Sequence, residues 1–489
     1  MPLEAQLRNL VAGELVPSEG GEWVDVLNPA TGQLLTQVPD STEADLNRAV
    51  QAAQTAFPAW KKLGPEGRAE VFENLARLLD QHLDELITLE VDDNGMTRRF
   101  ASAVEVPRGA QNFRSFARAA VGFCRPRDFQ NKAARGYVRH QAVGVVGTIS
   151  PWNLPMLSFT WKVAPALAAG NCVIAKPSEI TPVTAYLLST LVNEAGFPPG
   201  VFNVLHGQGP GIGSAICAHP AVSHLSFTGS TATGRHIGLV CAQQFKKPPM
   251  LEMGGKNPTI IFEDADMEEM VEGVTRAAFA NQGQICLCGS RIYIQRSVYQ
   301  EVKERLVERA RRIIVGDPQD PATEHGASIS EQHMNKVLGC IERAQTEGGR
   351  ILCGGSRRRL EGRCANGYFV EPTYIEGVSN DSLTNQEEIF GPVATLTPFD
   401  SEEQAIAMAN NSCYGLAASI WTQDEQRAVR VADALDVGMP WINCWNLRVL
   451  ETPFGGFKNS GNGHREGVPD AMEFFTEKKT VTMPVGVGP

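Results

Sequence analysis

A chain of 489 residues, 43% hydrophobic and 20% charged, is too long for one hydrophobic core and predicts two large lobes. Its formal charge of -11 argues against a nucleic-acid or anionic-membrane partner, either of which calls for a basic face. Eleven cysteines, an odd count with no C-x-x-C pair, suit reduced thiols better than a disulfide framework or a zinc site. The nine histidines show no ligand spacing, so no metal is expected. No apolar run reaches membrane-spanning length, and Met1-Pro2-Leu3-Glu4-Ala5 lacks the basic-then-apolar layout of a secretory signal. The expectation is a soluble, cytoplasmic protein. The densest basic run, Arg357-Arg358-Arg359, reads as a solvated turn.

In chain order, Thr42-Glu43-Ala44-Asp45 predicts a capping box opening a helix that Pro58 should end. Val71, Leu75, Leu78, Leu79, Leu83 and Leu86 recur at helical spacing. The β-branched run 143–149 predicts a buried strand, and 157–169 a helix closed by Gly170. A strand at 172–175, a helix at 183–195 and a strand at 201–205 follow, with further strands near 224–227 and 258–262. A second series begins with a helix from 267 to about 281, a strand at 291–295 and a helix at 298–314. This alternation predicts two α/β lobes with largely parallel sheets and a boundary near 250. Near the end, 479–483 alternates as a strand does, and a late strand of this kind often pairs across a subunit interface; an oligomer is expected.

Two glycine-rich stretches compete as a dinucleotide site. Gly207-Gln208-Gly209-Pro210-Gly211-Ile212-Gly213 fits no G-x-G-x-x-G register and reads as a flexible loop. Gly229-Ser230-Thr231-Ala232-Thr233-Gly234 follows a strand and opens a helix, the context for a phosphate on a helix N-terminus or for a simple left-handed turn. In Phe279-Ala280-Asn281-Gln282-Gly283-Gln284-Ile285-Cys286 a helix runs into a Gly-bearing turn that presents a cysteine. Such a thiol is either a nucleophile toward a carbonyl or a buried structural cysteine.

Seven blocks in order make the sequence similar to the aldehyde dehydrogenase superfamily along essentially its whole length. They are Ser150-Pro151-Trp152-Asn153, Lys176-Pro177-Ser178-Glu179, Phe227-Thr228-Gly229-Ser230, Leu251-Glu252-Met253-Gly254-Gly255-Lys256, Gly283-Gln284-Ile285-Cys286, Glu387-Glu388-Ile389-Phe390-Gly391-Pro392 and Pro453-Phe454-Gly455-Gly456. The resemblance implies two Rossmann-like α/β lobes with a small β oligomerisation element. Residues 1–120 and 144–252 would bind NAD, 253–459 would form the catalytic domain, and 121–143 with 470–489 would oligomerise. It also implies roles: Cys286 attacks the aldehyde, Asn153 and the Cys286 N–H hold the oxyanion, and Glu252 activates water to hydrolyse the thioester. Lys176 and Glu179 would take the adenosine ribose, Glu179 disfavouring a 2′-phosphate and so selecting NAD. Gly229 and Ser230 would meet the pyrophosphate, Trp152 would border it, and Glu388 and Phe390 would flank the nicotinamide ribose. Lys162 would be a proton relay or a plain helix lysine, and Cys288 an inert neighbour.

Within the superfamily, Val106-Pro107-Arg108, Asn112-Phe113-Arg114, 161–166, 281–288 and Asn443-Cys444-Trp445-Asn446-Leu447-Arg448 resemble the aminomuconic and hydroxymuconic semialdehyde dehydrogenases. That subgroup implies a carboxylate-bearing semialdehyde from tryptophan catabolism as substrate, held by Arg108 and Arg448. A broad or retinal-type specificity is the alternative. A non-catalytic, crystallin-like relative would be expected to lack the cysteine or the glutamate, and both are present. Departures are Met253, an extra residue (His464) in 460–467 expected to reshape the tunnel wall, and the divergent stretch 121–134, assigned to oligomerisation. The assembly would be a dimer or a dimer of dimers.

Overall fold

The computed structural model describes residues 3–245 and 249–485. The first two and last four residues, which the signal-segment and tail readings touch, lie outside the described residues. Thr42 caps the first long helix, Glu43–Gln81: its side chain accepts from the Asp45 N–H, and the Asp45 carboxylate accepts from the Thr42 N–H at 2.8 Å. Pro58 does not end this helix, contrary to expectation; the break comes at Gly64, with φ 79° and ψ 168°. Two residues past the proline, Trp60 is fully buried and its Nε1 donates to the Leu167 carbonyl at 3.1 Å. An interior proline costs about 3 kcal/mol. Losing a buried tryptophan costs about 3–5 kcal/mol, so the packing prevails.

Two seven-stranded sheets carry the architecture. The first runs in the order Pro249–Glu252, Val222–Thr228, Val145–Ile149, Cys172–Lys176, Phe202–Val204, Asn9–Val11 and Glu14–Val16. Its first five strands are parallel and largely buried, and the central pair, Val145–Ile149 and Cys172–Lys176, is rich in Val and Ile, as a sheet covered on both faces requires. The helices Pro155–Ala168 and Val183–Ala195 are among its cover, and the second of these spans the predicted residues. The second sheet runs Arg350–Cys353, Thr373–Glu376, Val393–Phe399, Gly289–Gln295, Asn257–Ile261, Ala417–Trp421 and Met439–Ile442, parallel except for its first pair. Arg357–Arg358 forms one side of a small hairpin; Arg357 donates to the Gly367 carbonyl at 3.1 Å, while Arg358 and Arg359 are exposed.

The predicted late strand is present as Thr476–Pro484 and pairs antiparallel with Ala134–Ala142 of the same chain, which pairs in turn with Arg127–Gln130. Just before it, Met472 and Phe475 are fully buried in the core of the first lobe. Asn171 Nδ2 donates there to the Phe475 carbonyl at 2.9 Å.

Candidate active site

Four consecutive parallel strands of the first sheet deliver site residues from their carboxyl ends, the edge of an open α/β sheet where ligands bind. Ile149 leads into Ser150–Asn153, Lys176 ends its strand, Thr228 leads to Gly229 and Ser230, and Glu252 ends the edge strand. The Trp152 carbonyl is held by Asn94 Nδ2 at 2.8 Å and Thr181 Oγ1 at 3.3 Å. Pro155 then starts the next helix, at a position where its missing N–H costs nothing.

The second lobe answers with Cys286. The helix Met267–Phe279 ends in a tight turn, Ala280–Gly283, in which Asn281, Gln282 and Gly283 all have positive φ. A Cβ on Gly283 would lie 2.1 Å from the Gly391 carbonyl oxygen, so this turn demands glycine. Asn153 Nδ2 donates to the Gln284 carbonyl and Asn281 Nδ2 to the Asn153 carbonyl, both at 2.8 Å. Cys288 is buried, its Sγ turned to the Ala280 carbonyl.

A cavity of about 630 Å³ joins the lobes and brings together Cys286, Glu252, Asn153, Glu388, Arg108 and Arg448. Burial, then the nearby Glu388 and Glu252 carboxyls, push the Cys286 thiol above its ordinary range, while Arg448 opposes them. Glu252 is 2% exposed, and neither of its carboxyl oxygens has a hydrogen-bond partner among the described residues. Burial and then Glu466 hold its proton affinity well above the usual carboxylate range, against Lys162, Arg465 and Arg448. Lys162 and Glu466 themselves form a buried ion pair, and Ser226 Oγ accepts a further bond from Lys162 Nζ at 2.9 Å. Burial likewise raises Glu388 to about 7, although its Oε1 accepts from the Gly255 N–H at 3.0 Å.

At the other end, Lys176 Nζ meets Glu179 Oε2 at 2.9 Å. Burial raises the Glu179 pKa, but Lys176 and the Gly209 N–H overcome it and keep the carboxyl below its ordinary range. The stretch 207–213 is not a flexible loop. Gly209–Gly213 is a helical turn running into the helix Ser214–Ala218, with Ile212 buried beneath it. Asp40 holds its approach, accepting from Gln208 N and Nε2 at 2.9 Å each. Ser230 caps the helix Thr231–Gln243, and Gly229 is not left-handed, which decides that stretch against a simple αL turn. Phe390, with φ 58°, stands edge-on to Trp152 at 5.3 Å.

Sequence reasoning missed His333 and Lys336. His333 packs against Trp152 and shares a 2.7 Å hydrogen bond with the Phe390 carbonyl; Lys336 donates to the Ile389 carbonyl at 2.8 Å. Both sit in the helix Glu331–Thr346, whose sequence carries no block to mark them. The extra residue does not shape the cavity wall as expected. His464 instead packs edge-on against Phe474 at 5.0 Å, and Glu466 lines the cavity.

Arg108 and Arg448 form no ion pair among the described residues, and Arg108 Nε is buried without a hydrogen-bond partner. Arg448 lies over the Phe454 ring at 4.1 Å and the Trp161 ring at 5.5 Å. Burial, then the neighbouring Arg108 charge, lower its pKa to about 10. No group of three or more His, Cys, Asp or Glu able to hold a metal ion occurs among the described residues, and none of their helices is long and apolar enough to cross a membrane.

The profile of the Aldehyde dehydrogenase family matches residues 15–481. The chain is 48% identical over 482 residues to the 2-aminomuconic semialdehyde dehydrogenase of Danio rerio, covering 98% of each chain. It is 41% identical to the 2-hydroxymuconic semialdehyde dehydrogenase of a Pseudomonas species, covering 97% of this chain and 99% of that one. Among solved structures, the NAD+ complex of an aldehyde dehydrogenase from Bacillus cereus superposes with a TM-score of 0.94 at 39% identity, covering 98% of this chain and 97% of that one.

Proposed function

Because the chain belongs to the aldehyde dehydrogenase family, we propose that it oxidises a carboxylate-bearing semialdehyde, 2-aminomuconate 6-semialdehyde, to the acid with NAD as acceptor. The observation that carries the substrate choice is the pair Arg108 and Arg448, two guanidiniums that line one cavity with Cys286 and form no ion pair among the described residues. Both are partly buried, with Glu105 near Arg108 and Glu466 and Glu252 near Arg448, and a substrate carboxylate is the partner that would engage the guanidiniums directly. A guanidinium fork also fixes direction, which turns the far aldehyde toward the thiol. The relatives named for muconic semialdehydes support the same reading.

In this mechanism the Cys286 thiol gives up its proton to solvent and its sulfur adds as thiolate to the aldehyde carbon. One N–H of the Asn153 amide is taken by the Gln284 carbonyl, which sets the amide plane and leaves its second N–H for the oxyanion, beside the Cys286 N–H. After oxidation to the thioester, Glu252 takes a proton from the attacking water, work suited to a carboxyl of raised proton affinity. The residues present fit NAD: the Ser230-capped helix start suits a pyrophosphate, the Lys176–Glu179 pair an unphosphorylated ribose, and Glu388 with Phe390 and Trp152 the nicotinamide end. When bound, NAD supplies the oxidant by accepting hydride.

Residues 1–120 with 144–252 serve as the NAD-binding domain and 253–459 as the catalytic domain. Residues 121–143 and 470–489 serve oligomerisation; the three-stranded sheet has two unpaired edges among the described residues, which suits a homo-oligomer. Eleven cysteines with no disulfide among the described residues suit the cytoplasm.

The test is NAD reduction with 2-hydroxymuconate semialdehyde, a more stable analogue, against retinal and propanal. The semialdehyde should give the highest kcat/KM, and Arg108→Ala or Arg448→Ala should raise its KM at least about tenfold without changing that for propanal. Preference for retinal or propanal, indifferent to both arginine changes, would sink the substrate assignment and leave the family chemistry in place.

A further inference from the structure

Ahead of the nucleophile, Asn281 and Gln282 have φ of 46° and 56°, followed by Gly283 at 69°. Two non-glycine residues in the left-handed region are held against a steric preference, and such conformations persist where surrounding contacts over-determine them. Asn281 is 5% exposed, and its contacts are specific. Its carbonyl accepts from the Gln284 N–H at 2.9 Å, closing the turn. Its Nδ2 reaches across to the other lobe and donates to the Asn153 carbonyl, for which no other donor occurs among the described hydrogen bonds. The Asn153 side chain returns the contact on the Gln284 carbonyl, two residues before Cys286. Gln284 Oε1 is fixed in turn by the Ile329 N–H at 3.0 Å.

Each asparagine therefore uses its side chain to hold the backbone of the other's loop. We propose that Asn281 is a positioning residue whose side-chain amide keeps Asn153 in register with Cys286 across the lobe boundary. This rests on the reading of Cys286 as nucleophile and Asn153 as oxyanion donor. Of the residues that reach positive φ, asparagine pays a smaller steric cost than most and also supplies a donor, whereas glycine supplies only the freedom.

That difference gives the experiment. Asn281→Gly keeps the backbone conformation without strain and removes only the amide; Asn281→Ala removes the amide and adds strain. Both are assayed for kcat, KM for NAD, single-turnover NADH formation and the rate of Cys286 alkylation by iodoacetamide, well below their melting temperatures, with Cys286→Ala and Asn153→Ala alongside. The expected result is a kcat and single-turnover rate about tenfold lower or more for Asn281→Gly, with KM for NAD within about twofold of wild type and alkylation still proceeding. Asn281→Ala should fall at least as far. Asn281→Asp, which keeps the shape and the tolerance for positive φ but cannot donate, stands in if the glycine variant does not fold, and the same loss is expected of it. If Asn281→Gly (or its substitute) turns over within about twofold of wild type while Cys286→Ala and Asn153→Ala are impaired, the inference is overturned: the turn conformation alone suffices. If Cys286→Ala remains active, the reading of the site fails and takes the inference with it.

Discussion

Lys162 Nζ lies 2.7 Å from Glu466 Oε1, with the two side chains 1% and 3% exposed, and this pair faces the unpartnered Glu252 carboxyl with one charge of each sign. Lys162 favours the Glu252 anion and Glu466 opposes it. Removing either should therefore move the proton affinity of the base in opposite directions. Glu252 must be ionised to accept a proton from water, so the acid limb of the thioester-hydrolysis rate should move to higher pH in Lys162→Met and to lower pH in Glu466→Gln. Lys162→Met also leaves a buried anion unpaired, which costs about 3–5 kcal/mol and should appear in denaturant unfolding. Limbs that shift the same way would show that the pair does not act on Glu252 through charge.

Gly455 has φ 148°, and a Cβ there would lie 2.5 Å from Glu252 Oε1. The far end of a glutamate yields easily, while the positive φ strains any side chain here, so Gly455→Ala should displace Glu252 and also lower the melting temperature. The expected outcome is a burst of NADH from acylation followed by steady turnover about tenfold or more slower, read by stopped flow. Loss of the burst together with the steady rate would mean that the substitution damages thioester formation too.

Glu179→Ser should raise kcat/KM with NADP by about tenfold or more and lower it with NAD. The change removes the carboxylate proposed to repel a 2′-phosphate and leaves the buried Lys176 ammonium, without its Glu179 partner, to meet one. Steady-state kinetics with both dinucleotides measure the ratio. An unchanged ratio would place the discrimination elsewhere.

Burial lifts Glu388 from its ordinary range to about 7. A carboxyl whose folded pKa exceeds its unfolded value contributes stability that is complete below the unfolded pKa and is lost as pH rises through the folded one. Between about pH 4.5 and 7, then, the cofactor-free enzyme should lose stability through this group. Glu388→Gln should melt with wild type at pH 4 and above it at pH 8. Parallel melting curves at the two pH values would argue against the raised affinity.

Local chemistry made much of the fold readable. The Thr42 capping box, the glycine stop at Gly170 and the β-branched run ending at Ile149 each declare themselves within a few residues. What escaped depends on partners distant in sequence. Pro58 reads as a helix stop until Trp60 is seen buried against Leu167, and 207–213 reads as a loop until Asp40 and Ile212 are seen fixing it. The blocks around Cys286 and Glu252 stood out because backbone-demanding glycines accompany them, and the Asn153 block through its proline and tryptophan. His333, Lys336 and Asn281 bond to the carbonyls of other segments, and a carbonyl leaves no trace in residue identity.

The strand Thr476–Pro484 and the turn before it complete the first lobe from 304 residues downstream, the separation of Phe475 from Asn171. During synthesis the first lobe therefore waits, with the seats for Met472 and Phe475 open, while the whole second lobe is translated and free to close around its own sheet. The lobe begun first is finished last, and until then its exposed apolar seats are a target for chaperones and for the same segment of a neighbouring chain.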